Sequence, residues 1–170
     1  MPHQYPDPRW YPCVIESIAD GDTVNVIIDR GHDIKHHRQA IRLRRIDTAE
    51  SDDRTEWLAA LGKLAKTRLE QLLPIGSEQT LLTSKTPKSN REELEKFGRF
   101  QGDFALNMIA ALGLSTSGPV ELITVCHVLV NERLAVIYRG QNKRDVEAAH
   151  RQNYLWQLEQ MAGTLRLPTP

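Results

Sequence analysis

The sequence predicts an α+β protein whose strands come ahead of its helices. Three observations carry this. The β-prone segments 13–18, 24–29 and 40–46 follow one another with turn residues between them. An apolar period of 3.6 residues then runs through Trp57, Leu58, Leu61, Leu64, Ala65, Leu69 and Leu72. Further strand-like segments follow, and a second helical stretch covers 145–161. Strands, a helix, more strands and then helices is the order of an α+β fold. The first three strands form a meander suited to closing into a small barrel.

Each element has a local reason. "CVIESI" at 13–18 is β-prone and partly alternating, and "ADGDT" at 19–23 is turn chemistry, with Gly21 between two aspartates. In "VNVIID", Val24, Val26 and Ile28 share one face. "RGHDIKHHRQ" reads as a polar loop, and "AIRLRRI" at 40–46 as the third strand. For the first helix Ser51, Asp52 and Asp53 offer capping oxygens, and Pro74 stops it. Strands are expected at 78–86 and, entered through Gly98, at 97–106. "LGLSTSGP" at 112–119 is a loop. Residues 120–132 fit a buried helix or a strand, and 134–138 is short and extended. The last helix carries Val146, Ala149, Tyr154, Trp156, Leu158 and Met161, with Gly163 ending it. The organisation expected is a loose proline-rich arm at 1–12, one folded domain at 13–163 and a tail at 164–170.

Composition narrows the function classes. At 170 residues, 40% apolar and 26% charged, the chain is an ordinary globular domain with a core of useful size. Its 22 basic and 22 acidic residues balance, which argues against a passive nucleic-acid coat but leaves room for a local cationic site. No secretory signal is visible at "MPHQYPDPRWYP", and no run approaches the roughly 18 apolar residues of a membrane span. An intracellular protein with two buried or free thiols, Cys13 and Cys126, is the expectation.

The chemistry-bearing stretch is "RLRRIDTAES" at 42–51. Residues 30–45 hold six basic side chains and one acid, and residues 46–56 hold five acids and one base. The neutral total therefore hides a cationic block beside an anionic one. Asp22, Asp47 and the Thr48 carbonyl are oxygen donors of the kind a hard divalent cation needs. Arg42 and Arg44 are expected on one strand face and Arg45 on the other. A guanidinium fork at a barrel mouth suits a phosphate, while Arg44 and Arg45 read more simply as an exposed basic strand. Arg99, after a glycine in "KFGRF", is unremarkable alone. His32, His36 and His37 lack the spacing of a zinc site. Cys126 and His127 are adjacent, so their side chains diverge and a catalytic pair is not expected. No P-loop, GxGxxG or GxSxG is present.

Three stretches in order, "IADGDTVNV", "IRLRRIDTAES" and "KFGRF", resemble the signature segments of the staphylococcal nuclease-like family (thermonucleases), over roughly residues 13–160. The resemblance implies a five-stranded OB-fold β-barrel with about three helices. It implies a calcium-dependent endonuclease, other divalent cations being possible, that cleaves DNA or RNA, prefers single strands and leaves 3′-phosphate ends. Asp22, Asp47 and the Thr48 carbonyl match the cation ligands. Glu50 matches the acid that orients or deprotonates the attacking water, and Arg42 and Arg99 match the pair gripping the phosphate. Lys96 and Tyr138 are candidate substrate contacts, Tyr138 by stacking on a base. Two departures stand out: Ala49 replaces the family's usual proline, and residues 106–124 look like an insertion. The other reading is a catalytically silent OB-fold module that binds nucleic acid or protein. Neither reading fixes whether the chain is a monomer or a homodimer, and neither involves a membrane.

Overall fold

The computed structural model describes residues 9–32, 34–83, 100–106 and 122–164. Five strands form a closed barrel: β1 (Arg9–Asp20), β2 (Thr23–Asp29), β3 (Lys35–Leu43), β5 (Glu78–Thr83) and β6 (Phe100–Ala105), in the order β1-β2-β3-β6-β5. Neighbours are antiparallel except β3 and β6, which run parallel from Ile41↔Phe100 to Leu43↔Gly102. A two-stranded ribbon of β4 (Ile46–Asp47) and β7 (Val136–Ile137) sits beside it. Among the described residues the helices are α1 (Glu56–Leu72), α2 (Val125–Asn131) and α3 (Lys143–Thr164). This is an α+β, OB-fold-like architecture.

Barrel closure follows from strand alternation and its interruptions. Cys13 and Ile15 face inward at a spacing of two. A bulge between Ile15 and Ser17 changes the parity, so Ile18 faces inward as well. Val24, Val26, Ile41, Leu43, Leu81 and Phe104 complete the interior. Leu61, Ala65 and Leu69 lay the buried stripe of α1 onto this core. Arg68 grips Glu132 through Nε at 2.7 Å and Nη2 at 2.6 Å, tying α1 to the end of α2. Buried Asp103 accepts from the Cys126 backbone N–H at 3.1 Å, and the Thr124 hydroxyl accepts from His127 N–H at 3.4 Å. Together they cap α2.

Several expectations are corrected. β1 begins at Arg9, because residues 9–12, expected in the loose arm, pair with β5 from Arg9↔Thr83 to Pro12↔Thr80. β3 begins at Lys35, so half of the expected polar loop is strand, paired with β2. It ends at Leu43. Arg44 and Arg45 form a turn, Arg45 at φ +59°, and do not alternate along a strand with Arg42. The α1 N-cap is Thr55, with Asp53 accepting its N–H at 2.7 Å, in place of Ser51–Asp53. The ambiguous 120–132 stretch is helical from Val125. The last helix starts at Lys143 and contains Gly163, which was expected to end it. Its Leu158 and Met161 are exposed. Residues 84–99 and 107–121, with Lys96, Arg99, the Gly98 entry and most of the expected insertion, lie outside the described residues.

Cys13 and Cys126 are free and buried. Burial pushes the Cys13 thiol up to about 12 and holds Cys126 well above the ordinary range. Since the thiolate is the reactive form, neither should react with a disulfide reagent at pH 8 in the folded protein. Both should react at once in denaturant. Fast labelling of either in the native protein would show that the barrel or α2 opens locally.

Candidate functional site

Three segments meet at one rim of the barrel: the β1–β2 turn, the end of β3, and the 46–51 segment that leads into α1. The turn packs tightly. A Cβ on Gly21 would stand 2.9 Å from the Ala65 Cβ and 2.9 Å from the Thr48 hydroxyl, so only glycine allows this approach. The Asp22 carbonyl accepts from Leu43 N–H at 2.8 Å, locking the turn to the end of β3.

Asp22 is only 2% exposed. Its Oδ1 accepts from Arg42 Nη1 at 2.6 Å and from the Thr23 hydroxyl at 3.0 Å, and its Oδ2 from Thr48 N–H at 3.3 Å. Arg42 also donates through Nη2 to Asp47 Oδ1 at 3.1 Å. Two carboxylates separated by 25 residues are thus held on one guanidinium fork. Pairing of Thr23 with Arg42 across β2 and β3 sets this geometry. Asp47 Oδ2 in turn meets His150 Nε2 at 3.0 Å.

Asp20 Oδ1 accepts from Gly21 N–H at 2.9 Å and from Ser51 N–H at 3.3 Å. Its carboxyl also interacts with that of Glu50, an interaction that lowers Asp20 and raises Glu50. That interaction pushes Glu50 up to about 7. Burial and the charges of Asp20 and Asp22 add to the rise, and Arg42 opposes it. Burial works to raise Asp20, but its hydrogen bonds from Glu50, Gly21 and Ser51 hold it below the ordinary range. Asp22 is raised by burial, which the Arg42 charge only partly offsets.

A cavity of about 540 Å³ opens beside these groups. Arg42, Asp47, Glu50, His150, Tyr138, Gln141 and Lys143 are among the residues that line it. The structure therefore brings together Asp22, Arg42, Asp47, Thr48 and Glu50, and places Tyr138 on the same cavity. Arg99 and Lys96 lie outside the described residues. Sequence reading passed over two contributors. Asp20 is the first aspartate of the turn. His150 occupies the half-buried stripe of α3 with Val146 and Tyr154, one turn to either side.

Among the described residues, no group of three or more His, Cys, Asp or Glu side chains is placed to hold a metal ion. The oxygen donors gathered at this end of the barrel are carboxylates, with Asp22 buried and both Asp22 and Asp47 held on Arg42. That set suits a hard cation that keeps part of its water shell, and not zinc. No protein-family model and no curated protein matches the chain. Among the described residues no helix is long and apolar enough to cross a membrane.

Proposed function

We propose that the chain is a divalent-cation-dependent phosphodiesterase of the staphylococcal nuclease-like kind, acting on single-stranded DNA or RNA. The observation that carries this is the convergence of Arg42, Asp47 and Glu50 on one cavity, with buried Asp22 held behind them on the Arg42 fork. A phosphodiester resists attack because it is anionic. Its cleavage needs positive charge near the phosphorus and a base beside a water. Calcium, held by Asp22, Asp47 and the Thr48 carbonyl, would supply charge that neutralises the phosphate and the added charge of the transition state. Arg42 presents the planar fork that fits a phosphate. It grips one only by releasing a carboxylate, so its two roles compete. Glu50 lines the same cavity as Asp47, where its carboxylate can take the proton of the attacking water. Tyr138, 42% exposed on the cavity, offers a face for an unpaired base. The family pattern puts the sugar 5′-oxygen as leaving group, giving 3′-phosphate ends.

One observation favours a silent binding module instead. Both ends of the Arg42 fork are already engaged by carboxylates. The test is cleavage of denatured DNA and of RNA with calcium, then with a chelator, alongside Glu50→Gln. The nuclease reading expects calcium-dependent cleavage leaving 3′-phosphates, and a fall of about 100-fold or more in the variant, the usual contribution of a general base. A folded wild type that cleaves nothing with calcium, magnesium or manganese, yet binds single strands, would hand the function to the binding reading.

A further inference from the structure

α3 is the last described element, and along it one described side chain is fully buried: His150, 3% exposed. It is not there for packing alone. Its Nε2 lies 3.0 Å from Asp47 Oδ2, while its Nδ1 is buried with no hydrogen-bond partner. A carboxylate accepts and cannot donate, so the partner assigns the proton to Nε2. A leucine would fill the same space without stranding a buried nitrogen, so core stability by itself does not account for an imidazole here.

We propose that His150 is a positioning residue for Asp47. Its Nε2–H holds Oδ2 and so leaves Oδ1 facing Arg42 and the rim. The inference rests on reading Asp47 as a cation ligand, and it deepens that reading by giving the ligand a support on a distant helix. Asp47 is 26% exposed and stands at the end of a two-residue strand, so its backbone fixes the carboxylate weakly. The two carboxylate oxygens have separate partners, Nη2 of Arg42 on one and the imidazole on the other. Rotation about the side chain would break both bonds. α3 is itself anchored near this point. Asn153 Nδ2 donates to the Ala135 carbonyl at 3.2 Å, and Gln157 Nε2 to the Glu132 carbonyl at 2.7 Å. Tyr154 packs on Trp57 of α1 at 5.8 Å between ring centroids. The imidazole is therefore delivered to Asp47 from a fixed helix. Groups that orient a ligand in this way typically contribute 10–100-fold to metal affinity.

The experiment is calorimetric titration of calcium, or of magnesium or manganese where calcium does not bind, into the free protein, with no nucleic acid, for wild type, His150→Gln and His150→Asn. The glutamine amide nitrogen falls about where Nε2 does, and that of asparagine stops a methylene short. The two variants thus differ in reach to Oδ2 more than in polarity or packing. His150→Leu replaces the asparagine variant if the latter does not fold. Glutamine is expected to keep the wild-type affinity within about threefold and asparagine to lose 10–100-fold, with apo unfolding midpoints alike. Equal affinity in all three proteins would overturn the inference. So would equal weakening in both variants, which would mean that the ring's shape matters and its hydrogen bond does not. A wild type that binds none of calcium, magnesium or manganese would overturn it by a different route, removing Asp47 as a cation ligand and the nuclease reading with it.

Discussion

Replacing Arg42 by alanine will destabilise the fold by about 3 kcal/mol at neutral pH, the usual cost of removing one partner from a buried ion pair. Asp22 is the reason. It is 2% exposed, and besides Arg42 its oxygens have only the Thr23 hydroxyl and the Thr48 N–H. Without the guanidinium a buried carboxylate keeps two neutral donors and faces Asp47, whose charge raises its pKa further. The loss will depend on pH in a definite direction. An acid whose folded pKa lies above its unfolded value binds protons more readily when folded. The cost is therefore complete above the folded pKa and disappears below the unfolded one, about 4 for aspartate. The Arg42→Ala defect should shrink as pH falls from 7 toward 4. Asp22→Asn in the Arg42→Ala background should recover much of the stability, since the amide carries no charge to leave unpaired. Urea unfolding at both pH values measures this. An alanine variant as stable as wild type at pH 7 would mean that Asp22 is already neutral and that the Asp22–Arg42–Asp47 bridge carries little charge.

The parts of this site that are legible in the sequence are those encoded by contiguous residues. Asp20, Gly21 and Asp22 announce a turn, and Arg42 to Glu50 put a fork and its carboxylates within nine positions. The carboxylates find Arg42 because β2 and β3 pair at Thr23↔Arg42; the apolar alternation of the strands fixes their faces but leaves this register open. What escaped had no local signal. The Lys35–Gln39 half of β3 is polar because its described side chains face outward, so it reads as loop. The break at Arg44 and Arg45 carries no glycine or proline to mark it. The imidazole of His150 reaches Asp47 across 103 residues of chain. Its one trace is a polar residue in a helical stripe, and that pattern more often marks a surface position. Apolar length misled in the opposite sense: Leu158 and Met161 keep the helical period of α3 yet remain exposed.

A second large effect is expected at a glycine inside α1. Gly62 interrupts the apolar period of α1, and a glycine inside a helix normally costs about 1 kcal/mol against alanine. Gly62→Ala should nevertheless destabilise this protein, by about 2 kcal/mol net. A Cβ there would lie 2.6 Å from the Ala49 carbonyl oxygen and 2.6 Å from the carbonyl carbon and oxygen of Glu50. These are backbone atoms and cannot turn aside as a side chain end would. Either α1 lifts from the barrel, exposing the seats of Leu61, Ala65 and Leu69, or the 49–50 segment moves. Overpacking of this kind costs about 1–3 kcal/mol before the propensity gain is subtracted, and a rigid backbone contact sits at the upper end. The second route displaces Glu50 from Asp20 and so reaches the proposed chemistry as well as the fold. Gly163→Ala is the internal control. It lies in α3 with nothing within 4 Å of its would-be Cβ. There the propensity term acts alone, and stability should rise by at most about 1 kcal/mol. The same substitution is thus expected to have opposite signs in two helices of one protein. Thermal unfolding of both variants measures the signs directly. A Gly62→Ala variant as stable as wild type would mean that α1 does not rest on the Ala49–Glu50 backbone, and that something other than this contact sets the height of the Glu50 carboxylate.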